Sequence, residues 1–116
     1  MIRTITSVEL RRKYRDAMDE IEDAEDAIEE ARLREEYAEL IKVVEDGERD
    51  FPDWRYSVCF VHEDDLAEFY QANPYNFFPN VEEKMLDFID WDKVAREVLA
   101  DSPMAIEWDD TLWYYV

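Results

Sequence analysis

The fold depends most on residues 16–30, which read DAMDEIEDAEDAIEE. Nine of these fifteen side chains are carboxylates and none is basic. Ala17, Ile21, Ala24 and Ile28 recur at intervals of three or four residues, which is the period of one face of an α-helix. The stretch therefore predicts an acidic helix with an inward apolar face and outward carboxylates.

The helical pattern extends over residues 7–46, which contain no glycine or proline. Thr6 can cap its start, with Glu9 three residues later as in a capping box. A heptad seam then follows at Leu10, Tyr14, Ala17, Ile21, Ala24, Ile28 and Ala31. Beyond it the stripe shifts to Leu33, Tyr37, Leu40 and Val44. The shift indicates one long bent helix or two helices joined by a turn. Because no turn residue lies at the shift, we expect one long helix ending at Asp46-Gly47.

The pattern changes after Phe51. Residues 55–61 are β-branched and aromatic and predict a strand. Residues 104–108 and 112–116 predict a terminal β-hairpin, in which Trp113 and Tyr115 share one face and Tyr114 lies on the other. Short helices are predicted in between, opening at Asp64 or Asp65, at Asn80 with Glu83, and at Asp90.

These elements define an α+β fold: a long N-terminal acidic helix, or a helical hairpin, followed by a small three-stranded antiparallel sheet with short helices. We expect residues 1–48 to form an acidic helical arm and residues 49–116 an α+β unit, within one compact domain. The alanine-rich seam suits close helix packing, inside the chain or with a second copy, and a homodimer is one expectation.

The chain is strongly acidic and yet rich in core-forming residues. It carries 32 acidic and 13 basic side chains, a formal net charge of -19, and 47% of its residues are hydrophobic. Disordered acidic chains lack such apolar content, so we expect a folded protein that displays its acid on a structured surface. An acidic halophile surface is the alternative, but halophile acid is spread evenly, whereas here it is concentrated in residues 16–30.

Several classes of function are disfavoured by composition. Cys59 is the only cysteine and His62 the only histidine, and we interpret them as a buried inert thiol and a strand-end residue. The single glycine, Gly47, excludes a glycine-rich phosphate loop. We therefore expect no enzyme activity, no metal or cofactor, no direct nucleic-acid binding and no membrane span. The expected location is the cytoplasm of a host cell.

The charge density of residues 16–30 approaches that of DNA. A fifteen-residue helix is about 22 Å long, which gives one carboxylate per roughly 2.5 Å, against one phosphate per about 1.7 Å of duplex. Like charges at i, i+4 each cost a few tenths of a kcal/mol, a cost that an ordinary solvated face avoids by alternating acid with lysine. We interpret these carboxylates, with three from the helix near residue 64, as phosphate mimics: Asp16, Asp19, Glu20, Glu22, Asp23, Glu25, Asp26, Glu29, Glu30, Asp64, Asp65 and Glu68.

The C-terminal half carries a family resemblance. Residues 88–97 read FIDWDKVARE, and the chain closes with WYYV at residues 113–116. Together with EDDLAEFY at residues 63–70, these motifs resemble the C-terminal end of the ArdA-type antirestriction proteins. The resemblance covers about residues 62–116. It implies an elongated acidic protein that occupies the DNA groove of a type I restriction enzyme. The N-terminal domains of that family are absent here, and the acidic helix stands in their place.

Sequence thus favours an inhibitor that mimics duplex DNA and binds the DNA-binding site of a host defence complex, either a type I restriction enzyme or a CRISPR effector. Interface anchors are expected from Tyr75, Phe77 and Phe78, although packing of their loop onto the sheet is equally compatible with the sequence. The basic group at residues 11–15 is expected to pair with acid from the globular part or from a second copy. The alternative function is an acidic adaptor that pairs with a partner through its heptad seam.

Overall fold

The computed structural model describes residues 1–101 and 103–116, and within them it contains six α-helices and a four-stranded antiparallel sheet. The α+β class is therefore confirmed. In chain order the elements are β1 (Thr4–Thr6), α1 (Ser7–Glu22), α2 (Ala27–Glu36), α3 (Ala38–Asp50), β2 (Cys59–His62), α4 (Leu66–Ala72), α5 (Pro74–Phe77), α6 (Trp91–Ala100), β3 (Ala105–Trp108) and β4 (Thr111–Tyr115). Segments of 3₁₀-helix lie at Glu63–Asp65 and Glu83–Phe88.

The sheet has the order β1-β2-β4-β3, and it is covered by helices on both faces. Successive residues of a strand point to opposite faces, so Phe60 and Val61 of β2 enter two different cores. Phe60 packs with side chains of α1 and α3, including Leu10 and Val44. Val61 packs with Leu66 of α4 and with α6. Residues from both 1–48 and 49–116 contribute to the first of these cores.

The predicted terminal hairpin is confirmed. β3 and β4 pair directly, with Trp108 opposite Thr111, and the alternation of Trp113, Tyr114 and Tyr115 between the two faces is as expected. Asp109 and Asp110 form the two-residue turn, with φ angles of 55° and 56°. Positive φ at both central residues is the geometry of a type I′ turn, whose twist matches that of the strands. The Asp109 N–H donates to the Glu39 carboxylate of α3, which fastens the turn to the helical layer.

The expectation of one long helix was wrong, because residues 7–46 fold back as a helical hairpin. α1 ends at Glu22, and α2 starts at Ala27 with Asp26 as its N-cap. Folding back allows Leu33 and Leu40 to be buried, whereas a straight helix would leave them in solvent. The seam is consequently buried only as far as Ile21, and the predicted seam residue Ile28 is 83% exposed.

The expectation that Gly47 ends the helix was also wrong, since α3 continues through it to Asp50. Gly47 is required by packing and not by a turn. A Cβ at this position would lie within 2.6 Å of three ring carbons of Trp54, and Trp54 is only 1% exposed. The indole ring thus lies directly on the helix backbone. To reach it, residues 52–56 turn, so the predicted strand at 55–61 is reduced to Cys59–His62.

Two smaller expectations also needed correction. The fourth strand, β1, was missed; it has three residues and pairs Ile5 with Phe60. Asn80 does not cap the following helix, because Glu82 precedes the 3₁₀ segment and its side chain makes no capping bond. The caps at Thr6 and Asp90 are confirmed: they accept from the N–H groups of Glu9 and Lys93 at 3.2 and 3.1 Å.

We predict that Gly47→Ala destabilises the protein. Alanine gains about 1 kcal/mol of helix propensity over glycine. Overpacking against a rigid buried ring costs typically 1–3 kcal/mol, and the steric cost should win by about 1 kcal/mol. Urea unfolding followed by tryptophan fluorescence measures the difference, with the exposed neighbour substitution Glu48→Ala as control. A Gly47→Ala variant as stable as the parent chain would show that Trp54 does not need this close approach.

Candidate carboxylate surface

The acidic stretch forms the outer end of the helical hairpin, and we call residues 16–30 the hairpin tip. Two carboxylates build its bend. Asp26 accepts from the Glu29 N–H at 2.8 Å, and Glu29 accepts from the Glu25 N–H at 3.2 Å. The first bond satisfies an N–H group in the first turn of α2, which would otherwise lack a helical partner, and the second fastens the Glu25 N–H of the bend to that turn. The high acid content of the tip thus helps to determine where α1 ends and α2 begins.

Most carboxylates of the hairpin tip form no ion pair within the described residues. Seven of the nine are exposed, and Glu29 and Glu30 are half-buried. Glu30 pairs with Arg34 at 3.3 Å, and Glu20 accepts a hydrogen bond from the Tyr37 hydroxyl at 2.6 Å. In the described part of the chain, Glu30 is the only one of the nine with an ion pair, so the other eight form none. The negative charge of the tip is therefore available to a partner.

The placement of acid in α1 opposes the helix dipole. The last turns contain Asp19, Glu20 and Glu22 and no basic residue. A helix C-terminus carries a partial negative charge, and a favourable cation there is worth about 0.3–1 kcal/mol. Carboxylates in this place therefore reduce the stability of α1. In the first turn of α2 the carboxylates stabilise the helix. Local stability therefore explains the acid at the start of α2 but not the acid at the end of α1.

The second predicted group, Asp64, Asp65 and Glu68, is largely neutralised by the N-terminal segment. The Arg3 guanidinium donates to both carboxylate oxygens of Asp65, at 2.9 and 3.2 Å, and lies 4.0 Å from Asp64. The N-terminal ammonium lies 3.4 Å from Glu68. This group belongs to the α4 layer, whereas the hairpin tip extends from the layer on the opposite face of the sheet. The structure does not join the two groups into one cluster.

Asp65 is a structural residue, which corrects its assignment as a phosphate mimic. It is 7% exposed and also accepts from the Arg3 backbone N–H at 2.8 Å. The hydrogen-bonded Arg3 guanidinium holds the pKa of the Asp65 carboxyl below its ordinary value of 3.8. Arg3 was not recognised from sequence because 62 residues separate it from Asp65. Only the concentration of basic residues at the N-terminus could have suggested the contact.

The Asp65–Arg3 pair predicts a specific pH dependence of stability. Because the folded-state pKa of Asp65 is lowered, the ionised pair stabilises the fold above about pH 4, and this contribution is lost as the pH falls through the folded-state pKa. Asp65→Asn should be less stable at neutral pH and should lose less on acidification than the parent chain. Unfolding free energies measured between about pH 2 and pH 7 test this. Glu63→Gln, at an exposed neighbour that forms no ion pair within the described residues, should keep the parent profile, and identical profiles for all three chains would contradict the assignment.

The aromatic loop packs on helices and not on the sheet. Ring contacts run in sequence from Tyr70 to Phe77, Phe78 and Trp91, with centroid separations between 4.8 and 6.0 Å. Phe78 is half-buried and its ring contacts Trp91 of α6, while Tyr75 and Phe77 of α5 are 50% and 40% exposed. Packing explains most of this loop, although part of it stays accessible.

The basic group at residues 11–15 does not pair with the acid of the globular part. The Arg11 guanidinium donates to the Arg55 carbonyl, and no ion pair within the described residues includes Arg11, Arg12, Lys13 or Arg15. Elsewhere, Cys59 is half-buried, and burial raises the pKa of its thiol, which keeps it protonated at neutral pH. His62 ends β2 and accepts from the Asp64 N–H at 3.1 Å.

The molecule is rod-shaped, and its acidic surface is therefore elongated. The molecule measures 64 × 24 × 24 Å and has a radius of gyration of 18.0 Å, compared with about 13 Å for a compact domain of this length. Its 32 carboxyl side chains over 64 Å amount to one per 2.0 Å of length, close to the value of about 1.7 Å for duplex DNA. Because 13 cations offset part of this charge, the net density is lower than that of DNA.

Comparison of the chain with protein-family models, with curated proteins and with solved structures gives no match. In the described part of the chain, the helices are too short or too polar to cross a bilayer.

We predict that salt stabilises this protein. Charge repulsion within a body of net charge -19 should weaken as ions screen it. The melting temperature should therefore rise by about 5 °C or more between roughly 20 mM and 500 mM NaCl, which corresponds to about 1 kcal/mol. Replacing Asp19 and Asp23 by Lys should reduce this dependence. A melting temperature that does not change with salt would show that repulsion is not a significant cost.

Proposed function

We propose that this protein inhibits a host DNA-targeting defence complex by mimicking duplex DNA. The observation that carries the proposal is the hairpin tip, where eight of nine carboxylates form no ion pair within the described residues, on a body that is 64 Å long and 24 Å wide. A DNA-binding surface places Lys and Arg where phosphates lie, and these side chains would pair with the carboxylates instead. The proposed target is a type I restriction enzyme or a CRISPR effector.

Energetics support a functional origin for the tip. Acid at the end of α1 opposes the helix dipole, and Asp19 and Asp23 are like charges one turn apart. Local stability therefore gives no reason for the carboxylates of Asp19, Glu22 and Asp23, whose side chains make no capping hydrogen bond and form no ion pair within the residues described. A binding role accounts for them.

The alternative adaptor function receives less support. It needs a free apolar seam for a partner helix, but the seam residues Leu10, Ala17 and Ile21 are buried within the chain itself. Ile28 is the one predicted seam isoleucine that is exposed. Ile28→Asp therefore separates the two functions without disturbing the core: an adaptor should lose its partner, and a DNA mimic should keep its inhibition.

The test is competition against labelled duplex DNA bound to a type I restriction enzyme or to a purified CRISPR surveillance complex, at two salt concentrations. The parent chain should displace DNA, and displacement should weaken steeply as salt rises. Replacing Asp19, Glu22, Asp23 and Glu25 by Lys should reduce inhibition by at least about 100-fold, since steering and several charge pairs are lost together. Because lysine at positions 19, 22 and 23 suits the C-terminus of α1, the same variant should melt at a higher temperature.

A matched control carries the same change in net charge away from the tip. It replaces Glu45, Asp53, Asp101 and Glu107, all exposed, by Lys. The control should keep most of the inhibition, losing only the long-range part of the steering. Equal loss in both variants would mean that net charge acts without a defined site. Failure of the parent chain to displace DNA from either complex would reject the proposal.

A further inference from the structure

The 3₁₀ segment Glu83–Phe88 displays two large apolar side chains outward. A 3₁₀-helix has three residues per turn, so residues three apart share a face. Leu86 and Ile89 are half-buried on the inner face, whereas Met85 and Phe88 share another face and are 47% and 80% exposed. The phenyl ring of Phe88 makes no ring contact with the described aromatic residues.

An apolar groove adjoins these side chains. It has a volume of about 320 Å³ and is lined by the apolar side chains of Phe77, Phe78, Ile89 and Val94 and by Asp90, Lys93 and Glu97. Ile89 directly follows Phe88 in the chain, so the groove lies next to the segment that carries the exposed ring. We call Met85, Phe88 and this groove the apolar patch. Single exposed apolar residues are common, but two large exposed side chains beside a partly apolar groove, on so acidic a protein, are typical of an interaction site.

The 3₁₀ segment and the groove carry more carboxylates than lysines, although Lys93 lines the groove. Glu83, Asp87 and Asp90 are exposed, and none of them forms an ion pair within the residues that the structure describes. Lys84 is engaged by Glu82 at 3.2 Å. An aromatic ring bordered by uncompensated acid is chemically complementary to arginine, whose guanidinium can stack on the ring while it pairs with a carboxylate. DNA-binding surfaces are rich in this side chain.

We propose that the apolar patch is a second contact site for the same DNA-binding surface, with Phe88 as an anchor on which an arginine of the defence complex stacks. This inference rests on the proposed function. The hairpin tip offers no aromatic ring, and its carboxylates act mainly by accelerating encounter and fixing orientation. A desolvated aromatic anchor acts instead on the lifetime of the complex. The two sites thus contribute to different steps of binding.

Phe88→Ala tests the anchor with little risk to folding, because the side chain is mostly exposed. The matched control is Tyr56→Ala, which removes an aromatic ring that is 65% exposed on another part of the surface. Association and dissociation rates would be measured by surface plasmon resonance on an immobilised type I restriction enzyme and an immobilised CRISPR surveillance complex. Phe88→Ala should dissociate about 10- to 30-fold faster with nearly unchanged association, as expected for a hot-spot side chain. Tyr56→Ala should match the parent chain.

Two further variants test the stacking itself. Phe88→Trp keeps a ring and should retain the parent dissociation rate, whereas Phe88→Leu keeps apolar area without a ring and should dissociate about as fast as Phe88→Ala. A Phe88→Leu variant with the parent rate would overturn the arginine-stacking role.

The outcomes separate this inference from the proposed function. If the lysine variant of the hairpin tip loses inhibition while Phe88→Ala behaves like the parent chain, the anchor is rejected and DNA mimicry stands. If Phe88→Ala weakens binding and the tip variant does not, the apolar patch is a binding site and mimicry by the tip is rejected. If the parent chain binds neither complex, both proposals are rejected.

Discussion

Phe60 and Val61 are neighbours on β2, and each is fully buried on a different face of the sheet. The need to bury both side chains determines the layer structure, because an antiparallel sheet with two apolar faces must be covered on both sides. The helical hairpin covers the Phe60 face, and α4 and α6 cover the Val61 face. The chain therefore builds two small cores around one strand, and its carboxylates are displaced to the outer surfaces and ends of an elongated body.

The same burial explains why the acidic segment folds back. If residues 7–46 formed one straight helix, the apolar side of α3 would lie in solvent. The helical hairpin instead buries Leu40 and Val44 against Leu10 and the sheet. Fully burying such side chains gains about 1.5–3 kcal/mol each, which exceeds the few tenths lost per like-charged pair. The repulsion among carboxylates at the tip is consequently tolerated.

Sequence predicted the features that depend on neighbouring residues. The caps at Thr6 and Asp90, the terminal hairpin and the two faces of β4 follow from local chemistry and a period of two. Other features depend on residues far apart in the chain. Arg3 reaches Asp65 across 62 positions, and Trp54 requires a glycine on a helix that precedes it. The heptad pattern of residues 7–46 fits one helix and a hairpin equally, since only tertiary burial distinguishes them. The nine carboxylates of the hairpin tip were identified from the sequence. The exposure of Phe88 was not predicted, because it depends on the geometry of the 3₁₀ segment.

The distribution of stability also bears on function. Within the hairpin tip, Asp26 and Glu29 stabilise the bend, while Asp19 and Asp23 oppose the dipole of α1. Adjacent carboxylates of one segment thus act in opposite directions on the same hairpin. A surface selected for solubility alone would have no reason to keep the unfavourable positions acidic, because lysine there would keep the surface polar and also stabilise the helix. The position of the acid relative to the helix ends, more than its amount, is therefore what points to a partner with a basic surface.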